Sequence, residues 1–166
     1  MASLTLIRGI PGSGKSTWRK DFTSKHSEWK IICPDDLRKE ITGDVSNITQ
    51  DAKVWETVYH TLKEYLSNKE DVIFDSTACS TRTQKAIENI AKAHNAIIMY
   101  KIFEIDTQVA KDRIIDDLNN NVDRSKVPME IVDKMAENFI KAKDRVLEEV
   151  KNMNVFLVEE KTRWDI

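Results

Sequence analysis

Cysteine, proline and glycine are scarce in this chain of 166 residues, at two, three and four, and no apolar run approaches the roughly 20 residues that span a bilayer as a helix. Each shortage excludes something. Cys33 and Cys79 are too few for a disulfide framework and lack metal-ligand spacing, so reduced thiols and a cytoplasmic setting are expected. Asn47-Ile48-Thr49 then reads as no glycosylation site. Met1 to Arg8 runs straight into a strand-like segment without a basic-then-apolar leader, which argues against an export address or a membrane partner. An excess of one charge is missing too. The 26 Lys+Arg against 28 Asp+Glu leave a formal net charge of -2, which argues against a long sequence-independent footprint on nucleic acid but leaves open a short strand end gripped locally.

With 40% hydrophobic and 33% charged residues and no repeat, linker or low-complexity tract, residues 1–166 read as one compact domain burying roughly 70% of its unfolded surface. The few special backbone residues are concentrated: Gly9, Pro11, Gly12 and Gly14 crowd into positions 9–14. Around them, the hydrophobic periodicity sets strands at Leu4–Ile7, Lys30–Cys33, Val72–Phe74, Ala96–Phe103 and Val155–Val158. Helices are expected over Lys15–Lys25, from Pro34, over Thr49–Ser67, Ser80–His94 and Val109–Leu118, and from Pro128. The last of these should turn Ile131, Met135, Phe139, Val146 and Val150 inward. Strands alternating with helices imply βαβ crossovers, hence a parallel sheet with helices on both faces and a ligand cleft at the carboxyl ends of its strands. Gly9, Asp35 and Asp75 each follow such an end.

Gly9-Ile10-Pro11-Gly12-Ser13-Gly14-Lys15-Ser16 has the P-loop pattern in the context that the motif requires, between a strand and a helix. Glycines let backbone N–H groups turn toward phosphate oxygens, and the helix that follows adds the positive end of its dipole. Gly12, Ser13, Gly14, Lys15, Ser16 and Thr17 would line the phosphates of ATP, with Lys15 reaching the β- and γ-phosphates and the Ser16 hydroxyl holding Mg²⁺. Asn68-Lys69-Glu70-Asp71 spells a guanine-reading motif, but it ends a helix before the third strand and no DxxG accompanies it, so it reads as a helix end.

Asp35 and Arg38 stand three apart at a helix start and share a face, whereas Asp36 points about 100° away. Phosphoryl transfer to a hydroxyl needs a carboxylate to accept the proton, a task for which Asp35 is placed, and Arg38 suits an anionic acceptor group. Simple capping of the helix by Asp35-Asp36 is the competing explanation. Arg124 lies in a polar loop between two helices, from which closure would bring its guanidinium onto the transferring phosphoryl group.

The P-loop with Thr17-Trp18, then Pro34-Asp35-Asp36-Leu37-Arg38, Phe74-Asp75-Ser76-Thr77 and Arg124-Ser125-Lys126-Val127-Pro128 closely resembles the kinase domain of phage polynucleotide 5′-hydroxyl kinases over nearly the whole chain. The resemblance implies a P-loop kinase three-layer α/β sandwich, with a five-stranded parallel sheet and a helical lid at about 107–135. It also implies an ATP- and Mg²⁺-dependent kinase that phosphorylates the 5′-hydroxyl end of DNA or RNA. Carried over by position, Asp35 is the general base, Lys15 and Arg124 act on the phosphates, and Arg38 contacts the acceptor's 3′-phosphate. Asp75 matches the strand-end acid supporting the acceptor site, but it also resembles a Walker B acid that assists Mg²⁺ through water. Arg113 fits the first of two lid-region arginines, at a longer distance from Arg124 than in relatives.

No Asp-x-Asp-Gly-Thr phosphatase motif is present, so only the kinase module is expected. The same fold serves kinases of small molecules, of nucleotide sugars and of modified bases in DNA, and the choice would lie in the segment from Arg38 to about Val54 with Arg82 and Lys85. A nucleotide-binding switch without an acceptor is the reading from another class. His26, His60 and His94 read as structural or surface residues, Trp29 and Trp55 as core, and Arg163-Trp164 as either a tail or an adenine contact.

Overall fold

In the computed structural model, described for residues 1–76, 80–121, 128–150 and 155–161, five strands form one parallel sheet in the order β2-β3-β1-β4-β5. The strands are β1 (Ser3–Arg8), β2 (Lys30–Ile32), β3 (Val72–Asp75), β4 (Ile97–Glu104) and β5 (Val155–Lys161). Six helices connect them: α1 (Lys15–Lys25), α2 (Pro34–Thr42), α3 (Asp51–Ser67), α4 (Thr81–Ala93), α5 (Thr107–Asn119) and α6 (Met129–Val150).

The sheet is buried on both sides because its central strand is apolar throughout. Leu4 and Leu6 face a core built with Val54, Val58, Leu62 and Leu66 of α3 and Ile87 and Ala91 of α4. Ile7 faces the other way, joining Ile73 and Phe103 against Trp18, Phe22 and Trp29. Each fully buried Val, Leu or Ile in these layers contributes roughly 1.5–3 kcal/mol relative to exposure. Trp55 packs on the first core and Trp29 on the second, as the apolar pattern implies.

Local signals set the ends of the elements. Pro34 opens α2 with Asp35 and Asp36 in its first turn, where acids favour the helix dipole, and Gly43 closes it at φ 80°. The Ser80 hydroxyl caps α4 by accepting from Thr83 N–H, and Asp106 caps α5 by accepting from Gln108 and Val109. The Asn68–Asp71 segment is structural. Asn68 ends α3, Lys69 takes φ 59°, and the Asp71 carboxylate accepts from the backbone N–H and hydroxyl of Ser3 at 2.8 and 2.7 Å, tying the start of β1 to that of β3.

The stripe on α6 differs from expectation by one residue. Val132 is fully buried while Ile131 is 40% exposed. Met135 and Phe139 are half-buried. Val132 stands three residues before Met135 and seven before Phe139, on the helix face these share, whereas Ile131 is turned about 100° from it. His26 and His94 close α1 and α4, and His60 is exposed, which makes all three structural or surface residues.

Candidate active site

β1, β2 and β3 run parallel, so their carboxyl ends bring the P-loop, the start of α2 and Asp75 to one edge of the sheet. The loop makes a tight turn in which Ser13 N–H donates to Ile10 C=O at 3.1 Å. Gly12 and Gly14 hold φ of 82° and 94°. A Cβ on Gly12 would meet the Ala110 backbone oxygen at 2.6 Å, so glycine is required there by space as well as by φ. Arg113 donates to Gly12 C=O at 2.9 Å. The loop is therefore stacked on the first two turns of α5.

α1 begins at Gly14 with no side-chain cap, which leaves its first-turn amides directed out of the helix, and the Ser13 hydroxyl is buried without a hydrogen-bond partner. An uncapped helix start, a left-handed glycine turn and an orphaned hydroxyl fit a phosphate group. Ser16 and Thr17 are exposed at the same turn. Among the described residues no cluster of three His, Cys, Asp or Glu could hold a metal, so Mg²⁺ would enter with the phosphates rather than into a protein cage.

Beneath the loop lies a buried charge cluster. Asp75 is 4% exposed and divides its carboxylate between two cations, Oδ1 lying 3.6 Å from Lys15 Nζ and Oδ2 lying 3.0 Å from Arg19 NH1. Arg19 NH2 lies 3.2 Å from Asp36 Oδ2. Burial opposes the Arg19 charge, but Asp75, then Cys33 and Asp36, hold its pKa above the ordinary value. Burial, with Asp75 adding to it, pushes the Cys33 thiol up to about 11. Asp36 thus reaches the cluster even though the helix geometry turns it away from Asp35.

On α2, Arg38 NH1 donates to Asp35 Oδ1 at 2.6 Å. Its Nε and NH2 donate to Asp51 Oδ1 and Oδ2 at 2.7 and 3.1 Å. The Asp51 hydrogen bond is the main cause of a raised Arg38 pKa, burial opposes it, and Asp35 adds to the rise. Asp35 and Arg38 do share a face. Asp75 touches Lys15 and Arg19, and Asp51 holds Arg38.

Arg82 and Lys85 are exposed on the first turns of α4. Arg124, Cys79, Arg163 and Trp164 lie outside the described residues. Motif reasoning missed Arg19 and Asp51; the i,i+4 spacing of Lys15 and Arg19 was the available signal for the first, and the acid in the first turn of α3 for the second.

The sequence pattern of the AAA domain family matches residues 4–142. The chain belongs to this family. Its fold is that of the P-loop kinases, and the relatives found are named kinases. The L-seryl-tRNA(Sec) kinase of Methanococcus maripaludis is 30% identical over 144 residues, spanning 82% of this AAA domain chain and 52% of the relative. A chain in the structure of the Pnkp1/Rnl/Hen1 RNA repair complex superposes with a TM-score of 0.72 at 21% identity, over 87% of this chain and 46% of that one. A putative kinase from Chloroflexus aurantiacus superposes with a TM-score of 0.65 at 16% identity, over 79% and 74% of the two chains. The domain spans about half the length of the first two. Among the described residues no helix is long and apolar enough to cross a membrane.

Proposed function

We propose that this domain is an ATP-dependent polynucleotide kinase, transferring the γ-phosphate to the 5′-hydroxyl end of DNA or RNA. The observation that carries the reading is the pairing of two half-sites at one sheet edge, a P-loop with buried Lys15 and a helix start with Asp35 hydrogen-bonded to Arg38. Lys15 and the amides of the α1 start bind and orient the phosphates. Asp35 accepts the proton of the acceptor hydroxyl as its oxygen bonds to the γ-phosphorus, and the bond to the β–γ bridging oxygen breaks to release ADP. Ser16 would hold Mg²⁺, which neutralises phosphate charge when bound, with Asp75 near enough to Lys15 to support either the metal through water or the lysine itself. Arg38 faces the acceptor, and Arg124 of the 107–135 lid completes the charge balance on closure. A relative named for a tRNA-linked seryl acceptor and a neighbour from an RNA repair complex support a nucleic-acid acceptor.

A second reading, a kinase of a small-molecule, nucleotide-sugar or modified-base hydroxyl, is favoured by one feature: Arg38 is already paired with two carboxylates, leaving little spare positive charge for an anionic acceptor.

The test offers labelled [γ-³²P]ATP and Mg²⁺ with single-stranded DNA and RNA bearing 5′-hydroxyl or 5′-phosphate ends, alongside sugars and nucleosides. Labelling confined to the 5′-hydroxyl strands is expected, with Asp35→Ala losing transfer and keeping ATP binding. Labelling of sugars or nucleosides alone selects the second reading. ATP binding without transfer to any acceptor removes the kinase reading.

A further inference from the structure

Arg19 belongs to no motif, yet it is 7% exposed and stands one helical turn after the P-loop lysine. Lys15 and Arg19 point from one face of α1 at the two oxygens of a single carboxylate, that of Asp75. A lysine meant to grip phosphate is thereby placed beside a buried anion that competes for it. At 8% exposure for Lys15 and 4% for Asp75, water does little to screen that competition.

We propose that Arg19 is a positioning residue for nucleotide binding: it shares Asp75 with Lys15, so that the Lys15 ammonium can swing onto phosphate without leaving a buried carboxylate unpaired. Leaving a charge buried and alone is the costly event in such clusters, far more so than exchanging one partner for another. With Arg19 present, Asp75 keeps a cation at 3.0 Å when Lys15 departs. Without Arg19, Lys15 is the nearest cation left to Asp75, and binding phosphate means breaking that pair. The geometry also explains why the two contacts differ in length. Arg19 is the nearer, and Lys15, at 3.6 Å, is the looser and hence the more movable. The contact between Arg19 NH2 and Asp36 braces the guanidinium from the α2 side, so the arginine does not follow the lysine.

The inference rests on the nucleotide half of the proposed function and is independent of the acceptor, so transfer assays and this experiment fail separately. The measurement is ATP affinity by calorimetry, in EDTA to remove any contribution of Asp75 through metal and again with Mg²⁺. Arg19→Gln is expected to weaken ATP at least tenfold in EDTA, and Arg19→Lys, which keeps a cation, to stay within about threefold of the parent. In an Asp75→Asn background, where nothing competes for Lys15, adding Arg19→Gln is expected to change affinity less than twofold. An unaltered affinity in Arg19→Gln overturns the proposal. So does a tenfold loss that persists in the Asp75→Asn background, because Arg19 would then be touching phosphate itself. If Arg19→Gln alone fails to fold, the comparison of Asp75→Asn with the double variant, in which no carboxylate charge remains at position 75, still decides the matter.

Discussion

Arg38 grips Asp51 side-on, with Nε and NH2 each on one carboxylate oxygen, while NH1 turns to Asp35. The arginine on α2 is thus oriented by the first residue of α3, across thirteen positions of sequence. A two-point contact fixes the plane of a guanidinium as a single ion pair does not.

Asp51→Asn keeps the shape and removes the charge, and is expected to raise the KM of the acceptor about tenfold while leaving the KM of ATP unchanged. Charge-assisted hydrogen bonds are worth roughly 1.5–3 kcal/mol, and the one-third exposure of the Asp51 side chain argues for the lower end. Steady-state kinetics against each substrate in turn checks the split; an unchanged acceptor KM would show that Arg38 needs no second carboxylate.

Gly12→Ala places a methyl group 2.6 Å from the Ala110 backbone oxygen at φ 82°. Backbone cannot step aside as a flexible side chain can, so the variant is expected to lose about 2 kcal/mol or more and to melt about 4–8 °C lower. Gly43→Ala shares the positive φ but has open space around it, and should lose only about 1 kcal/mol. Thermal melts of the two variants side by side separate the steric part from the backbone part.

The Cys33 thiol, raised from 9.0 to about 11 by burial and by Asp75, should resist iodoacetamide through pH 9 and react steeply only as the pH nears 11. The linked stability has a definite sign. A neutral thiol favoured in the fold contributes fully below pH 9 and is lost as the pH climbs through about 11. Alkylation rates in a Cys79→Ser background, with urea melts of Cys33→Ala at pH 8 and 10.5, test both; an alkylation midpoint near 9 would contradict the burial.

How far the sequence alone discloses this molecule depends on the range of the signal. The five strands and six helices follow from apolar runs and periodicity, because burial on both sides of β1 demands a continuous apolar segment such as Leu4–Ile7. The loop from Gly9 to Ser16 is legible because its chemistry is contained in eight consecutive residues. Arg19, Asp51 and Arg113 were not, since each acquires its meaning from a partner on another element: Asp75, Arg38 and the Gly12 carbonyl. Ile131 misled for a smaller reason. It and Val132 are both apolar and adjacent, and the inward face of α6 is decided by its packing against α5 and β5, which no count along the chain contains.

The stacking of the P-loop on Ala110, with Arg113 bonded to Gly12, makes the opening turns of α5 a wall of the nucleotide cradle. That wall and the floor are one rigid piece. Any hinge in the 107–135 segment must therefore lie beyond Arg113, and the leaf that swings is shorter than the helix that carries it.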